Sequence, residues 1–174
     1  RFLLAICVIL TALALASNEV LICVASRGPC APPIGTRCSR DEGLTGLCFS
    51  SGKVQLCNDT GRGGHANAAA CDQLGARSVL AIPIRTHSGI VGVLEVLSSG
   101  PNAFDWRTIR ALVRSTQRVD ITALESLASI DRDDSAHETQ ASGSRSARAS
   151  RFDLQRVFEA VWILQQQSRV PSIA

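Results

Sequence analysis

Seven cysteines, Cys7, Cys23, Cys30, Cys38, Cys48, Cys57 and Cys71, all fall within the first 71 positions and are the residues here most able to do chemistry. A thiolate can attack electrophilic sulfur, ligate a soft metal or close a disulfide. Their spacing decides among these uses. No C-x-x-C pair occurs and the gaps vary, so a zinc site has no support and no metal or cofactor is expected. Cys7 and Cys23 sit in apolar runs and read as small buried hydrophobes. Cys71 stands apart, beside Asp72 and after a polar loop that holds His65. His65, His87 and His137 otherwise read as solvated loop residues. Phosphate-loop, nucleophile-elbow and zinc-protease patterns are absent.

A chain of 174 residues with 45% hydrophobic content can build one real core plus an appendage. The net charge of +3 is small, and much of the basic excess lies in "SRSARASR", Ser144 to Arg151. There is no electrostatic case for nucleic acid. The sequence contains no Met and opens at Arg1, which reads as a processed chain or a fragment. "RFLLAICVILTALALAS" has the form of a secretory signal, with a small-x-small site at Ala14-Leu15-Ala16. It is too short for a membrane-spanning helix, which takes about 20 residues. Its removal would leave six cysteines, Cys23 to Cys71, which would suit a secreted, disulfide-stapled binding protein. The competing reading is a buried strand, Val8 to Ala16, paired with "VLICVAS" across the polar turn Ser17-Asn18-Glu19. The strand reading is favoured and places the protein in the cytoplasm. The signal reading makes it secreted or membrane-targeted through residues 1–16.

The elements that must position any site follow in order. Strand-like runs at 8–16 and 20–26 lead into "RGPCAPPIGTRC", whose prolines and glycines exclude helix or central strand. A short helix is predicted around Leu44 to Ser50, stopped by Gly52, followed by a strand over "VQLC". An alanine-rich helical turn ends at Gly75. Val79 to Ile84 and Ile90 to Leu97 form a hairpin turning at His87-Ser88-Gly89, too continuously apolar for one wet face. Asp105 can cap a helix whose apolar face carries Ile109, Leu112, Val113, Thr116, Ala123, Leu124 and Leu127. Residues 131–151 are dense in Ser, Ala and charge and read as a disordered linker. In residues 152–174, Leu154, Val157, Phe158, Val161 and Leu164 recur at helical spacing, giving an amphipathic C-terminal helix and tail.

"GLTGLCFSSGKVQLCNDT", "LGARSVLAIPIRTHSGIVGVLEVLS" and "PNAFDWRTIRAL", in that order, resemble the GAF domain, a small-molecule-sensing and protein-interaction module of signalling proteins. The likeness runs from about Ala12 to Leu127, within a domain spanning 1–130. It implies an α/β (α+β) fold with a central antiparallel sheet of five to six strands flanked by helices, and a pocket under the 58–75 segment with the 74–99 hairpin as its floor. Pro83 fits a position that needs no ladder donor, and Gly92 fits a close approach of another backbone or side chain, which the GAF-like arrangement would place at the packed helix or at the pocket contents.

One enzyme group of that fold, the free methionine sulfoxide reductases, is partly similar at Gly64-His65, Ala70-Cys71-Asp72 and the G-x-C of Gly46 to Cys48. There Cys71 would be the nucleophile and Cys48 or Cys57 would resolve it. Extra residues separate the Gly-His from the Cys, and Ser78-Val79 and Leu97 stand where that group has carboxylates. The cyclic-nucleotide and bilin-attachment patterns of other members are missing. The reading is therefore a non-catalytic sensory or regulatory domain of bacterial style, binding an unidentified small molecule through Asp59, His65, Asn67, Cys71, Asp72, Arg77, Ser78 and Glu95. A homodimer or a helix-mediated protein partner is expected, with no nucleic acid and no stable membrane span. Arg77 and Asp72 have a simpler use as a local surface ion pair.

Composition generates one test directly. Residues 131–151 cannot bury enough apolar surface to offset the entropy of ordering. Limited trypsin digestion should cut first at Arg145 and Arg148 and leave a folded core ending near Leu127. Protection of either arginine would contradict the linker assignment.

Overall fold

Two apolar runs separated by a polar turn dictate the first hairpin. In the computed structural model, which describes residues 9–28, 31–62 and 68–117, Ile9–Ser17 forms β1 and Val20–Arg27 forms β2. Ser17 faces Val20 across a turn in which Asn18 takes φ 50°. Asparagine reaches that left-handed backbone more readily than most residues. The run Val8 to Ala16 is thus strand over its described part, and it pairs on both sides, with β2 and with the later strand Gly89–Ser98.

The proline-rich loop ends in a strand that its composition does not announce. Arg37–Ser39 forms β3 and pairs with Val20 to Ile22. It lies past Pro33 and Gly35, at the sheet's edge, and only β2 calls it into extended form. Gly43–Ser51 forms α1, Gln55–Cys57 forms β4, Thr60–Arg62 is a single 3-10 turn and Ala68–Leu74 forms α2. Ser78–Thr86 and Gly89–Ser98 form β5 and β6, which pair antiparallel along their whole length. The six strands form one antiparallel sheet in the order β3-β2-β1-β6-β5-β4.

Burial on both faces explains the unbroken apolar runs. Ala14, Leu21, Val79, Ala81, Val93 and Leu97 share one core cluster with Leu44, Cys48 and Phe49 of α1 and Cys71 of α2. Residues of opposite parity, Leu80, Ile82, Ile84, Leu94 and Val96, are buried on the other face. Pro83 pairs with Val93 on β6, whereas β4 reaches only Val79 to Ala81. Its missing N–H therefore interrupts no ladder on the β4 side, as the sequence required.

The chain divides into two compact units, residues 1–106 and 107–174. Helix α3, Trp106–Thr116, lies in the second from Arg107 onward. Thr108, Leu112 and Thr116 recur along its buried stripe and Arg107, Arg110 and Arg114 along its exposed one. The helical positions expected at Ala123, Leu124 and Leu127, the linker and the C-terminal helix lie outside the described residues. Among the described residues, no helix is long and apolar enough to cross a membrane.

Gly92 is indeed at a close approach, but its neighbour is neither a helix nor pocket contents. Gly92 faces Leu15 in register, and a Cβ there would run into the Ala14 carbonyl oxygen and come within 2.8 Å of Leu15 Cδ2. The glycine is what lets β1 and β6 close on each other. Gly92→Val, despite its better strand propensity, should destabilise the domain by about 1–3 kcal/mol. Chemical denaturation measures this, and a variant as stable as the parent would remove the close approach from the account.

Candidate functional site

On a strand buried on both faces, a carboxylate is the costly residue, and β6 carries one. Glu95 alternates with Val93 and Leu97, so it turns toward the face that holds α1. Ala12 of β1 and Ala81 of β5 stand opposite it in the two ladders. Two methyl side chains leave space above the sheet for the longer glutamate and for α1. The Thr45 hydroxyl, from the first turn of α1, donates to Glu95 Oε1. Glu95 is half-buried, and loss of water around its carboxyl pushes it above the ordinary glutamate range, which the Thr45 hydrogen bond partly offsets.

Thiols gather around that carboxylate. The charge of Glu95 acts on Cys23, Cys38, Cys48 and Cys71, which come from β2, β3, α1 and α2. Burial is the larger cause and Glu95 the next in pushing Cys48 up to about 12, and Cys38, exposed on β3 but with its sulfur 3.5 Å from the Leu21 carbonyl, is raised as well. Cys23 is raised by burial against the pull of the Ala25 carbonyl, to which its thiol donates at 3.5 Å. Cys71 is raised by burial first and then by the charges of Glu95, Cys57 and Asp72. At neutral pH these four groups are thiols, and the thiolate that nucleophilic attack requires is scarcely populated. All five described cysteines are free. Among the described residues, no three His, Cys, Asp or Glu side chains are placed to hold a metal ion.

Helix α1 is fastened to the sheet at both ends as well as at Thr45. Before it, Arg40 donates to the Asn18 carbonyl at the β1–β2 turn, and its guanidinium lies 4.5 Å from the Phe49 ring centroid. After it, Gly52 takes φ 65° and donates to the Cys48 carbonyl at 2.9 Å. A Cβ on Gly52 would come within 2.7 Å of Arg85 Nη2, which donates to the Gly52 carbonyl. Glycine at this helix end therefore serves both the left-handed cap and the seat of Arg85.

The other residues singled out from the sequence divide into groups. Asp59 and Arg77 come together, with Arg77 Nη2 2.8 Å from Asp59 Oδ1 and Arg62 Nε 3.4 Å from Asp59 Oδ2. The ion pair expected between Arg77 and Asp72 is therefore corrected: the partner is Asp59, because Thr60 N donates to the Arg77 carbonyl at 2.9 Å and brings the two segments side by side. Asp72 is exposed on α2. The Arg77 hydrogen bond leads in holding the Asp59 carboxyl below its usual range. Ser78 points to the face opposite Glu95 and spends its hydroxyl on the Gly100 carbonyl at 2.8 Å. Cys48, Cys57 and Cys71 meet in the same core cluster. His65 and Asn67 lie outside the described residues. Thr45 and Arg85 were not singled out from the sequence, and Cys23, read there as a small buried hydrophobe, is buried in β2. The alternation of β6 was the available signal, since an inward glutamate demands a hydroxyl or cation from whatever covers it.

An antiparallel sheet with a short helix seated over an inward carboxylate defines a mixed α/β domain with one polar centre on an apolar face. The family model described as GAF domain matches residues 13–121, and the chain belongs to the GAF domain family. A solved GAF domain superposes with a TM-score of 0.55 at 19% identity, covering 66% of this chain and 63% of that one. This chain thus spans less than two thirds of that relative's length. The type II free methionine-R-sulfoxide reductase of Thermoplasma acidophilum gives 0.55 at 15% identity over 62% of this chain and 73% of its own. The GAF region of a putative membrane protein from Geobacter sulfurreducens gives 0.54 at 22% identity, over 71% and 80%. These identities speak for the fold alone. No curated protein matches the sequence.

The raised Glu95 carboxyl makes stability depend on pH in a defined direction. Between the unfolded value, near pH 4.5, and the raised folded value, the native state holds the proton that the unfolded chain has released. The unfolded state binds fewer protons there, so stability falls as pH rises through that window. Glu95→Gln should abolish this fall and be more stable than the parent at neutral pH. Denaturation midpoints at pH 4.5, 6 and 8 test it, and parallel profiles for the two proteins would count against a desolvated, protonatable Glu95.

Proposed function

We propose that this GAF domain is a non-catalytic sensory or regulatory module of bacterial signalling that takes a small molecule on the α1 face of its sheet, with Glu95 as the polar anchor. The observation that carries this reading is the place of Glu95, a carboxylate kept in the middle of an apolar sheet face with one hydroxyl as its hydrogen-bond partner among the described residues. Burying such a group costs free energy that a plain core would avoid. A ligand that donates to the second carboxylate oxygen, an ammonium or an amide, would relieve that cost. Perturbed carboxyls of this kind cluster at functional sites. Cys71, from α2, would border the same site. Asp59, Asp72, Arg77 and Ser78 serve it indirectly, by shaping the segment from 58 to 78.

The raised thiols support a binding role over catalysis, because a reductase needs a ready thiolate. Free cysteines support a reducing, cytoplasmic setting. Output would pass to a second copy or to another protein through the helix that begins after Asp105. The regulated activity lies with that partner.

A thermal-shift screen of small ammonium and amide compounds tests the anchor. A ligand present at about 100 times its Kd stabilises the folded state by about 2.7 kcal/mol. The expected hit raises the melting temperature of the parent and loses its effect in Glu95→Gln. Turnover of free methionine sulfoxide with a thiol reductant would replace this reading by an enzymatic one.

A further inference from the structure

An edge strand offers a row of backbone N–H and C=O groups to any extended chain that comes near, so natural sheets guard their edges. Here β3 and β4 are the edges, and they are guarded differently. β3 carries the exposed Arg37, a charge of the kind that keeps edges apart. From Val54 to Asn58 the chain reads VQLCN and holds no charge. Val54 is 37% and Leu56 36% exposed, so the β4 edge also shows two apolar side chains to solvent. The strand itself is well held, since Gln55, Leu56 and Cys57 pair with Ala81, Leu80 and Val79 of β5.

The charges begin just outside this stretch, and their order matters. Lys53 lies three residues before Leu56 and Asp59 three residues after it. A half-turn about Leu56 therefore sets Lys53 against Asp59 of a second copy, and does so twice. It also sets Leu56 against Leu56 and Gln55 against Cys57, the positions that meet in an antiparallel pair. A slip of two residues is the smallest that keeps both α1 faces on one side. Such a slip puts Lys53 opposite Cys57 or Gly61 and loses both charge pairs. Lys53 is exposed. Asp59 holds Arg77 through Oδ1, while Oδ2 stands 3.4 Å from the outlying Arg62 and can accept from a further donor.

We propose that the β4 edge is the docking surface for a second copy of this chain, with β4 pairing antiparallel to β4 about a two-fold axis at Leu56. The two six-stranded sheets then run on as one. Strand addition of this kind draws affinity from main-chain hydrogen bonds and specificity from the side chains beside them. Each Leu56 covers the other at the axis, and the Lys53–Asp59 pairs fix the register at both ends. The contact uses the same patch on both copies, so it closes at two and builds no filament. This inference does not rest on a ligand at Glu95.

Sedimentation equilibrium of the full chain over a range of concentrations should show a reversible monomer–dimer equilibrium. Leu56→Lys sets two ammonium groups against each other at the axis and should raise the dimer dissociation constant about tenfold or more. Lys53→Glu turns two attractions into two repulsions and should weaken the dimer similarly, by less in high salt. Both positions are exposed, so the melting temperature of either variant as a monomer should stay near that of the parent. Hydrogen exchange on the parent needs no variant: amides within residues 54–58 should gain protection as concentration rises through the dimer range. A chain that stays monomeric up to about 1 mM would overturn the proposal. So would a dimer that Leu56→Lys leaves intact, or one that forms with no change in exchange at 54–58. Weakening by Leu56→Lys but not by Lys53→Glu would overturn the register about Leu56.

Discussion

One carboxylate sets the terms for its surroundings. Glu95 sits on the inner face of a central strand, where every neighbour along the sheet must be small or able to meet a charge. The ladders answer with Ala12 and Ala81 on either side, and α1 answers with Thr45. A larger residue at either alanine would fill the space through which the carboxylate reaches the helix. The same charge reaches four thiols and reinforces what burial already does to them. The face is thereby made chemically quiet, with its thiols and its carboxyl alike held above their ordinary ranges.

Holding a helix over such a group needs fastenings away from it. Arg40 and Arg85 provide them from opposite ends of α1, each bonding to a backbone carbonyl, at Asn18 and at Gly52. Arginine suits both places, since its planar fork donates while its long stem lies along apolar surface. The sheet underneath is rigid for a different reason. Gly92 lets β1 and β6 meet more tightly than side chains would allow, and β6 is in turn bonded along its length to β5. The sheet is thus set by its own register and the helix by its bonds to the sheet, and Thr45 and Glu95 mark where the two are matched.

Much of this was legible in the sequence. Unbroken apolar runs marked the central strands, Gly52 and Gly75 marked helix ends, and Pro83 and Gly92 marked positions with special backbone demands. The order of the motifs resembled the GAF domain, and the family match agrees. What escaped has physical reasons. β3 has three residues and follows prolines, so nothing local favours it, and pairing with β2 supplies the drive. The neighbour of Gly92 could not be known without the register of β1. Asp59 as the partner of Arg77 depended on a backbone bond between Thr60 and Arg77, a contact between segments far apart in sequence. Glu95 was picked out as a polar group facing a ligand, but its company of thiols came only from the folding together of four separate elements.

The bond network at Thr60 has a wider implication for how this domain can change. Thr60 N bonds to the Arg77 carbonyl, its hydroxyl donates to the Ala76 carbonyl at 2.8 Å, and Asp59 holds the Arg77 guanidinium. The chain leaves the sheet at Thr60 and returns at Arg77 through one knot. Everything between is a detour whose two ends are sewn together, so its length is uncoupled from strand register. Lengthening such a detour costs only a slowly rising closure entropy. A change of length there leaves the knot in place so long as Cys71 and Ala76 keep their seats in the core cluster beside Val79 and Leu97. The same scaffold can therefore acquire new surfaces through this one segment while the sheet keeps its sequence, a division of labour that favours diversification without refolding.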